Sequence, residues 1–233
     1  MKREVRASQP KRTLTEVISR LHVHYGEPES PLPTNALEFV IYENVSYLVN
    51  ETRQAVAFLK LKKEIGTTAD AIANVSDSKL RSIVDAPGNM RDTKFKALRV
   101  IARTVIDDFD SNLDAACDQP TDAALKVLQQ FPSIGLPGAE RILLLTGRAS
   151  ILALDSNGLR VLCRLGYSPE LKDYNQMYRA VRDALATEIP ADIKQVQRAH
   201  LLLRLHGKTL CKRSAPQCGS CPLQNICDFG RLA

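Results

Sequence analysis

The chain has 233 residues and a formal net charge of +6, with 44% apolar residues, 5% aromatic residues and no tryptophan. That length can bury a core in one large or two small domains, and the apolar content excludes disorder throughout. No apolar run reaches the length of a membrane span, and the few aromatic rings argue against a single-strand binder built on stacking.

The opening stretch "MKREVRASQPKRTLTEV" is charged and lacks the apolar centre of a signal peptide, which predicts a cytoplasmic chain, where structural disulfides are rare. Thr13 to Glu16 reads as a capping box, and Val17, Ile18 and Leu21 give helical spacing over 13–25. Pro28, Pro31 and Pro33 mark a break. "ALEFVIYENVSYLV" (36–49) predicts an apolar helix and "TRQAVAFLKLKKEI" (52–65) an amphipathic one. "TTADAIANV" and "SDSKLRSIV" predict two short capped helices. "DTKFKALRVIARTVIDDF" (92–109) carries one apolar stripe and a basic face of Lys94, Lys96, Arg99 and Arg103. "TDAALKVLQQF" and "GAERILLLTG" are joined by "PSIGLP", and "SNGLRVLCRLG", "NQMYRAVRDALATEI" and "DIKQVQRAHLLLRLHG" follow. With no alternating strands and no β-hairpin signal, the fold class is all-α.

Three features carry chemistry. The turn around 131–138 can aim backbone N–H groups and a helix dipole at a phosphate, although Gly135 and Gly138 also suit a plain helix hairpin. Glu43 sits in the middle of an apolar helix. It is either exposed or ion-paired, or it is a general acid with a raised pKa. Cys211, Cys218, Cys221 and Cys227 have the spacing C-x6-C-x2-C-x5-C, which suits a zinc site or an iron–sulfur cluster. Cys117 and Cys163 fall on helices and read as buried thiols.

The hairpin "FPSIG" (131–135), the stretch "LALDSN" after it and the closing cysteines resemble the helix–hairpin–helix DNA glycosylases of the endonuclease III type. The resemblance covers roughly residues 35–230. The family's hairpin reads L-P-G-V-G, so Ser133 is a departure. The resemblance implies that Asp155 is the catalytic carboxylate that meets a cationic sugar. It also implies that the four cysteines hold a 4Fe–4S cluster. Ser133, Ile134, Gly135, Gly138, Lys212 and Arg213 are then the contacts to the phosphates of double-stranded DNA. The family's Schiff-base lysine stands eighteen residues before the aspartate, and here that position is Pro137. Glu43 aligns with the proton-donating acid of adenine glycosylases. The glutamine that follows that acid is replaced by Leu48, and the further C-terminal recognition domain of the adenine enzymes is expected to be absent.

These readings predict a two-lobed fold. One lobe is a six-helix barrel over 37–149, with the helix–hairpin–helix at about 124–147. The other is discontinuous, 1–36 plus 150–233, with the cluster at 211–227. The substrate is expected in a cleft between the lobes, with Asp155 and Glu43 facing each other. Tyr42, Asn44, Tyr47 and Leu48 are expected to line a pocket for a flipped base, and Met90 to tip a wedge loop in "DAPGNMRDTKFK". The expected activity of the monomer is release of a damaged or mispaired base, a purine, without strand cleavage. The alternatives are an endonuclease III-like pyrimidine glycosylase with lyase activity and a non-catalytic damage-binding homologue.

Overall fold

The computed structural model describes residues 12–232. Residues 1–11 and 233, which the expected discontinuous lobe includes, lie outside the described residues. Twelve α-helices run in chain order among the described residues: α1 Leu14–Tyr25, α2 Ala36–Asn44, α3 Glu51–Glu64, α4 Ala69–Asn74, α5 Asp77–Ile83, α6 Met90–Phe109, α7 Leu113–Cys117, α8 Thr121–Leu128, α9 Leu136–Leu145, α10 Ser156–Leu165, α11 Tyr174–Leu185 and α12 Ile193–Thr209. Two 3₁₀ turns follow, Cys218–Ser220 and Gln224–Ile226. None of these helices is long and apolar enough to cross a membrane.

Local chemistry starts most of them. Thr13, Asn35, Asn50, Thr68, Ser76, Asn112, Asp155, Asp173 and Asp192 each accept a backbone N–H in the first turn of the helix they precede. A cap of this kind contributes about 1 kcal/mol. The predicted helix over 36–49 stops at Asn44. Beyond it, Tyr47 N–H donates to the Asp85 carbonyl at 3.0 Å and Asp85 N–H to the Val45 carbonyl at 3.1 Å. This single bridge turns the chain away from helical geometry, and Leu48 then takes φ 52°. The helix expected over 92–109 starts two residues earlier, at Met90, so the wedge candidate "DAPGNMRDTKFK" is non-helical only up to Asn89.

The chain divides into two compact units. One runs to Glu29 and resumes at Leu154; the other is Ser30–Ala153. The second unit holds α2–α9, of which α4, α5 and α7 have seven residues or fewer. Its core includes Val40, Ile41, Phe58, Leu61, Leu98 and Ile142, with α6 packed against α2, α4, α5 and α7. Glu38 is buried beside that core. Its Oε2 accepts from the Thr34 N–H and hydroxyl, both at 2.9 Å, and its Oε1 from Lys62 and Thr67, both at 2.8 Å. Burial raises its pKa, but these donors outweigh burial and hold it below the ordinary value.

The first unit packs α10 against α11 and α12, and α1 against α12. At Gly207, α12 comes close to the start of α10. A Cβ there would stand 2.6 Å from the Asn157 carbonyl oxygen in the first turn of α10. Gly207→Ala therefore pushes α12 off the start of α10. The expected loss is roughly 1–3 kcal/mol, by analogy with overpacked cores. Differential scanning calorimetry should read it as a Tm several degrees lower.

Candidate functional site

Asp155 is the N-cap of α10. Its Oδ1 accepts from the N–H of Asn157 at 3.0 Å and of Gly158 at 2.8 Å, and its Oδ2 from Asn157 Nδ2 at 3.1 Å. Arg204 Nε lies 3.6 Å from Oδ2. The side chain is 16% exposed. Burial pushes this carboxyl up, but the Gly158 N–H, Arg204, Asn157 and His200 together outweigh it and hold it below the ordinary value. The result is a fixed, ionised carboxylate at the positive end of a helix dipole, suited to meeting positive charge.

Asn157 continues outward from Asp155. Its Oδ1 accepts from Arg160 Nη2 at 2.9 Å. Arg160 is buried, and it also donates from Nη2 to the Gly207 carbonyl at 2.7 Å and from Nε to the Cys211 carbonyl at 2.9 Å. An unbroken line of hydrogen bonds thus runs from Asp155 through Asn157 and Arg160 to the first cysteine of the closing motif.

All six cysteines are free. Cys211, Cys218, Cys221 and Cys227 line one largely apolar cavity with Leu165 and His206. Several donors point at the sulfurs: Leu223 N–H to Cys221 at 3.4 Å, Gly230 N–H to Cys227 at 3.3 Å and Arg164 Nη1 to Cys211 at 3.4 Å. His206 Nε2 lies 3.5 Å from Cys221 Sγ, and its Nδ1 is 2.9 Å from the Tyr25 hydroxyl. Among the described residues no three Cys, His, Asp or Glu side chains converge as the ligands of one ion would. Four sulfurs ringing a cavity, with N–H donors aimed at them, fit the iron–sulfur cluster expected there. Lys212 and Arg213 are exposed, and the loop that carries them is tied down by Arg164, which donates to both of their carbonyls, at 2.8 and 3.2 Å. Cys117 and Cys163 are buried away from this cavity, and burial pushes both thiols up to about 11.

In the second unit, α8 and α9 flank the predicted hairpin. Phe131 and Ile134 are buried in the core, so Ile134 presents only its backbone to a partner. Ser133 is exposed and takes φ 63°. Gly135 precedes α9 and offers no capping side chain, and Pro137 lies in the first turn. A Cβ on Gly138 would make only an ordinary 3.7 Å contact with Ile134, so no packing demand explains that glycine.

The expected base pocket is only partly assembled from the predicted residues. Glu43 forms an ion pair with Arg141 at 2.6 Å, which is the paired alternative. Asn44 is wholly buried and faces the hairpin. Tyr42 packs edge-on against Phe58 at 5.3 Å. Tyr47 is 38% exposed and Leu48 81% exposed. Met90 is no loop tip: it opens α6, half-buried against the core. Leu48 is the exposed apolar side chain on a left-handed backbone instead. Of the basic face expected on α6, Lys96 and Arg103 are exposed. Lys94 is 6% exposed, and Arg99 turns in to the Ile72 and Val75 carbonyls. Sequence reasoning also gave no site role to Arg141, Asn157, Arg160 or Arg204. Arg141, one turn after Pro137 on the same helix face, had the clearest signal.

No family model matches the chain. It is 27% identical over 180 residues to endonuclease III of Sulfolobus acidocaldarius, covering 75% of this chain and 73% of that one. To endonuclease III of Escherichia coli K12 it is 25% identical over 171 residues, 69% of this chain and 77% of that one. To the DNA glycosylase/AP lyase ROS1 of Arabidopsis thaliana it is 28% identical over 136 residues, 54% of this chain and 10% of that one. Its fold is that of a trapped endonuclease III–DNA covalent intermediate (TM-score 0.72, 20% identity, 95% of this chain and 98% of that one). It is also that of a thermostable thymine-DNA glycosylase (TM-score 0.75, 17% identity, 94% and 97%).

Arg160→Met tests the hydrogen-bond line. It leaves the Gly207 and Cys211 carbonyls and Asn157 Oδ1 without this donor, at about 1–3 kcal/mol for each acceptor left unsatisfied. The expected outcome is a Tm lower by roughly 5 °C or more in thermal melts followed by circular dichroism.

Proposed function

We propose that this chain, a member of the helix–hairpin–helix superfamily that includes endonuclease III, is a DNA N-glycosylase. It flips a damaged or mispaired base from double-stranded DNA and releases it by hydrolysis. The observation that carries this reading is the Asp155 carboxylate, held ionised by N–H donors and Arg204. As the bond from C1′ to the base nitrogen breaks, its electron pair leaves with the base and positive charge develops on the sugar. Asp155 stabilises that charge. Water then adds to C1′, its proton goes to solvent or to the base, and an abasic site remains.

Strand cleavage through an imine needs a positioned amine. Pro137 supplies none, and its neighbours Leu136, Gly138 and Ala139 have none either. The reading is therefore of a monofunctional enzyme. The expectation of a purine rests on Glu43 as a proton donor, and Glu43 here is engaged by Arg141. A base that needs no proton from Glu43 suits that pairing: an N-alkylated purine already carrying charge, or an oxidised pyrimidine that departs as an anion.

Cys211, Cys218, Cys221 and Cys227 would hold a 4Fe–4S cluster, one cysteine per iron, as the staple of the closing loop. Lys212 and Arg213 on that loop, and the backbone N–H groups of Ser133 to Gly135, would meet DNA phosphates. On this reading the protein acts as a monomer in the cytoplasm, associated with the nucleoid if its source is a bacterium.

The test is single-turnover base release from duplexes that each carry one lesion: an N-alkylated purine, an oxidised pyrimidine or a mispaired adenine. Asp155→Asn should slow release by about 10²–10³-fold, a loss on the scale of one electrostatic contact in a transition state. Binding to lesion DNA should stay within about threefold, since shape is retained. Because the folded-state pKa of Asp155 is lowered, the group stays ionised until pH falls through that lowered value. Any acid limb of the rate set by Asp155 should therefore lie below the ordinary aspartate pKa of about 3.9. Borohydride should trap little covalent adduct on abasic DNA. Wild-type release from none of the three duplexes would sink the reading, and mispaired-adenine release lost on Glu43→Gln would restore Glu43 as the acid.

Protein purified without exposure to oxygen should carry about four irons per chain by metal analysis. One zinc with no iron would overturn the cluster assignment.

A further inference from the structure

The hairpin carries a side chain where its backbone favours none. Ser133 takes φ 63°, a region that glycine enters freely and serine seldom does. Its hydroxyl turns inward and donates to Asn44 Oδ1 at 3.1 Å. Lys94 Nζ donates to the same hydroxyl oxygen at 2.9 Å and to Asn44 Oδ1 at 3.4 Å. Asn44 Nδ2 donates to the Pro132 carbonyl at 2.8 Å and to the Val40 carbonyl at 3.0 Å. Every polar atom of the Asn44 side chain is thereby used: the Val40 bond stays within α2, and the others tie 132–133 to α2 and α6.

An amide and an ammonium are costly to bury, and an apolar pair would fill the same space without that penalty. Lys96, two residues on, is exposed, as a lysine serving only solubility would be. Burial lowers the pKa of Lys94, with Glu43 acting in the opposite direction. The Lys94 ammonium also lies 5.5 Å from the ring centroid of Tyr47. The lysine is therefore enclosed by α2, the segment after it and the hairpin.

We propose that Asn44, Lys94 and Ser133 form a latch that holds the hairpin in the left-handed turn it needs to grip a DNA phosphate. Asn44 and Lys94 are positioning residues for that binding. The proposal rests on the reading that the hairpin holds a phosphate. Serine, anchored from below, does here what glycine does through its conformational freedom.

The experiment uses the full chain as wild type, Lys94→Met, Asn44→Leu, Ser133→Gly and the two pairs that add Ser133→Gly to the other changes. Each is melted, and each is titrated with a duplex containing an abasic-site analogue over a range of salt. Lys94→Met and Asn44→Leu should each weaken binding about tenfold. The slope of log affinity on log salt should not change, because neither residue touches a phosphate. Adding Ser133→Gly should recover about threefold or more in each pair, since glycine adopts the turn unaided. The Tm loss of each pair should be smaller than the sum of its single losses. Additive losses in both affinity and Tm overturn the latch. A slope lower by about one in Lys94→Met would make Lys94 a phosphate contact and overturn its positioning role. A wild-type chain without affinity for the duplex counts against the glycosylase reading alone, and the Tm coupling then decides the latch.

Discussion

The arrangement of the first unit depends on one buried guanidinium. Arg160 reaches backward to Asn157 in the first turn of its own helix and across to the Gly207 and Cys211 carbonyls near the end of α12. Both ends of this contact are helix termini, where backbone carbonyls and N–H groups lack intrahelical partners. Arg160 satisfies orphan carbonyls at one end, and Asp155 accepts orphan N–H groups at the other. Gly207 lets the two helices come close enough for this to happen. The Asp155 carboxylate and the cysteine loop therefore share one support, and a change that moves the end of α12 is felt at Asp155.

Three carboxylates show how local surroundings assign roles. Glu38 and Asp155 are both largely removed from water, and both are held below their ordinary pKa by donors that outweigh burial. Glu38 spends its acceptor capacity on Thr34, Lys62 and Thr67, so it is a structural brace between the start of α2 and the end of α3. Asp155 takes two backbone N–H donors on Oδ1, while Oδ2 faces the Asn157 side-chain amide and, at 3.6 Å, the Arg204 guanidinium. Glu43 is the third case: Arg141, on the second turn of α9, pairs with it before any ligand arrives.

The legible part of the sequence was the part decided locally. Caps such as Asn35, Thr68 and Ser76 announce helices because the side chain and its backbone partner lie within three residues. The spacing of the four cysteines and the hairpin turn were readable for the same reason. The end of α2 was not, because "VSYLV" is apolar enough to continue a helix and only the bridge to Asp85, some forty residues away in sequence, ends it there. Lys94 read as a surface cation, since its burial depends on Asn44 and Ser133, each about forty or more residues distant. Glu43 stayed ambiguous until its partner, far along the chain, was seen to be Arg141.

The two departures in the hairpin act on different quantities. Ser133 changes how the left-handed turn is paid for, moving the burden from backbone freedom to side-chain hydrogen bonds. Pro137 changes what chemistry the first turn of α9 can offer, while its ring suits the first turn of a helix and keeps that turn in place. Neither substitution undoes the other's function. A hairpin can keep its grip on a phosphate while losing the amine that would attack a sugar, because grip comes from backbone N–H groups and the amine is a side chain. The loss of the lysine is therefore no argument for loss of DNA binding. On the function proposed above, base release would rest on the Asp155 carboxylate, whereas strand cleavage would need a nucleophile as well.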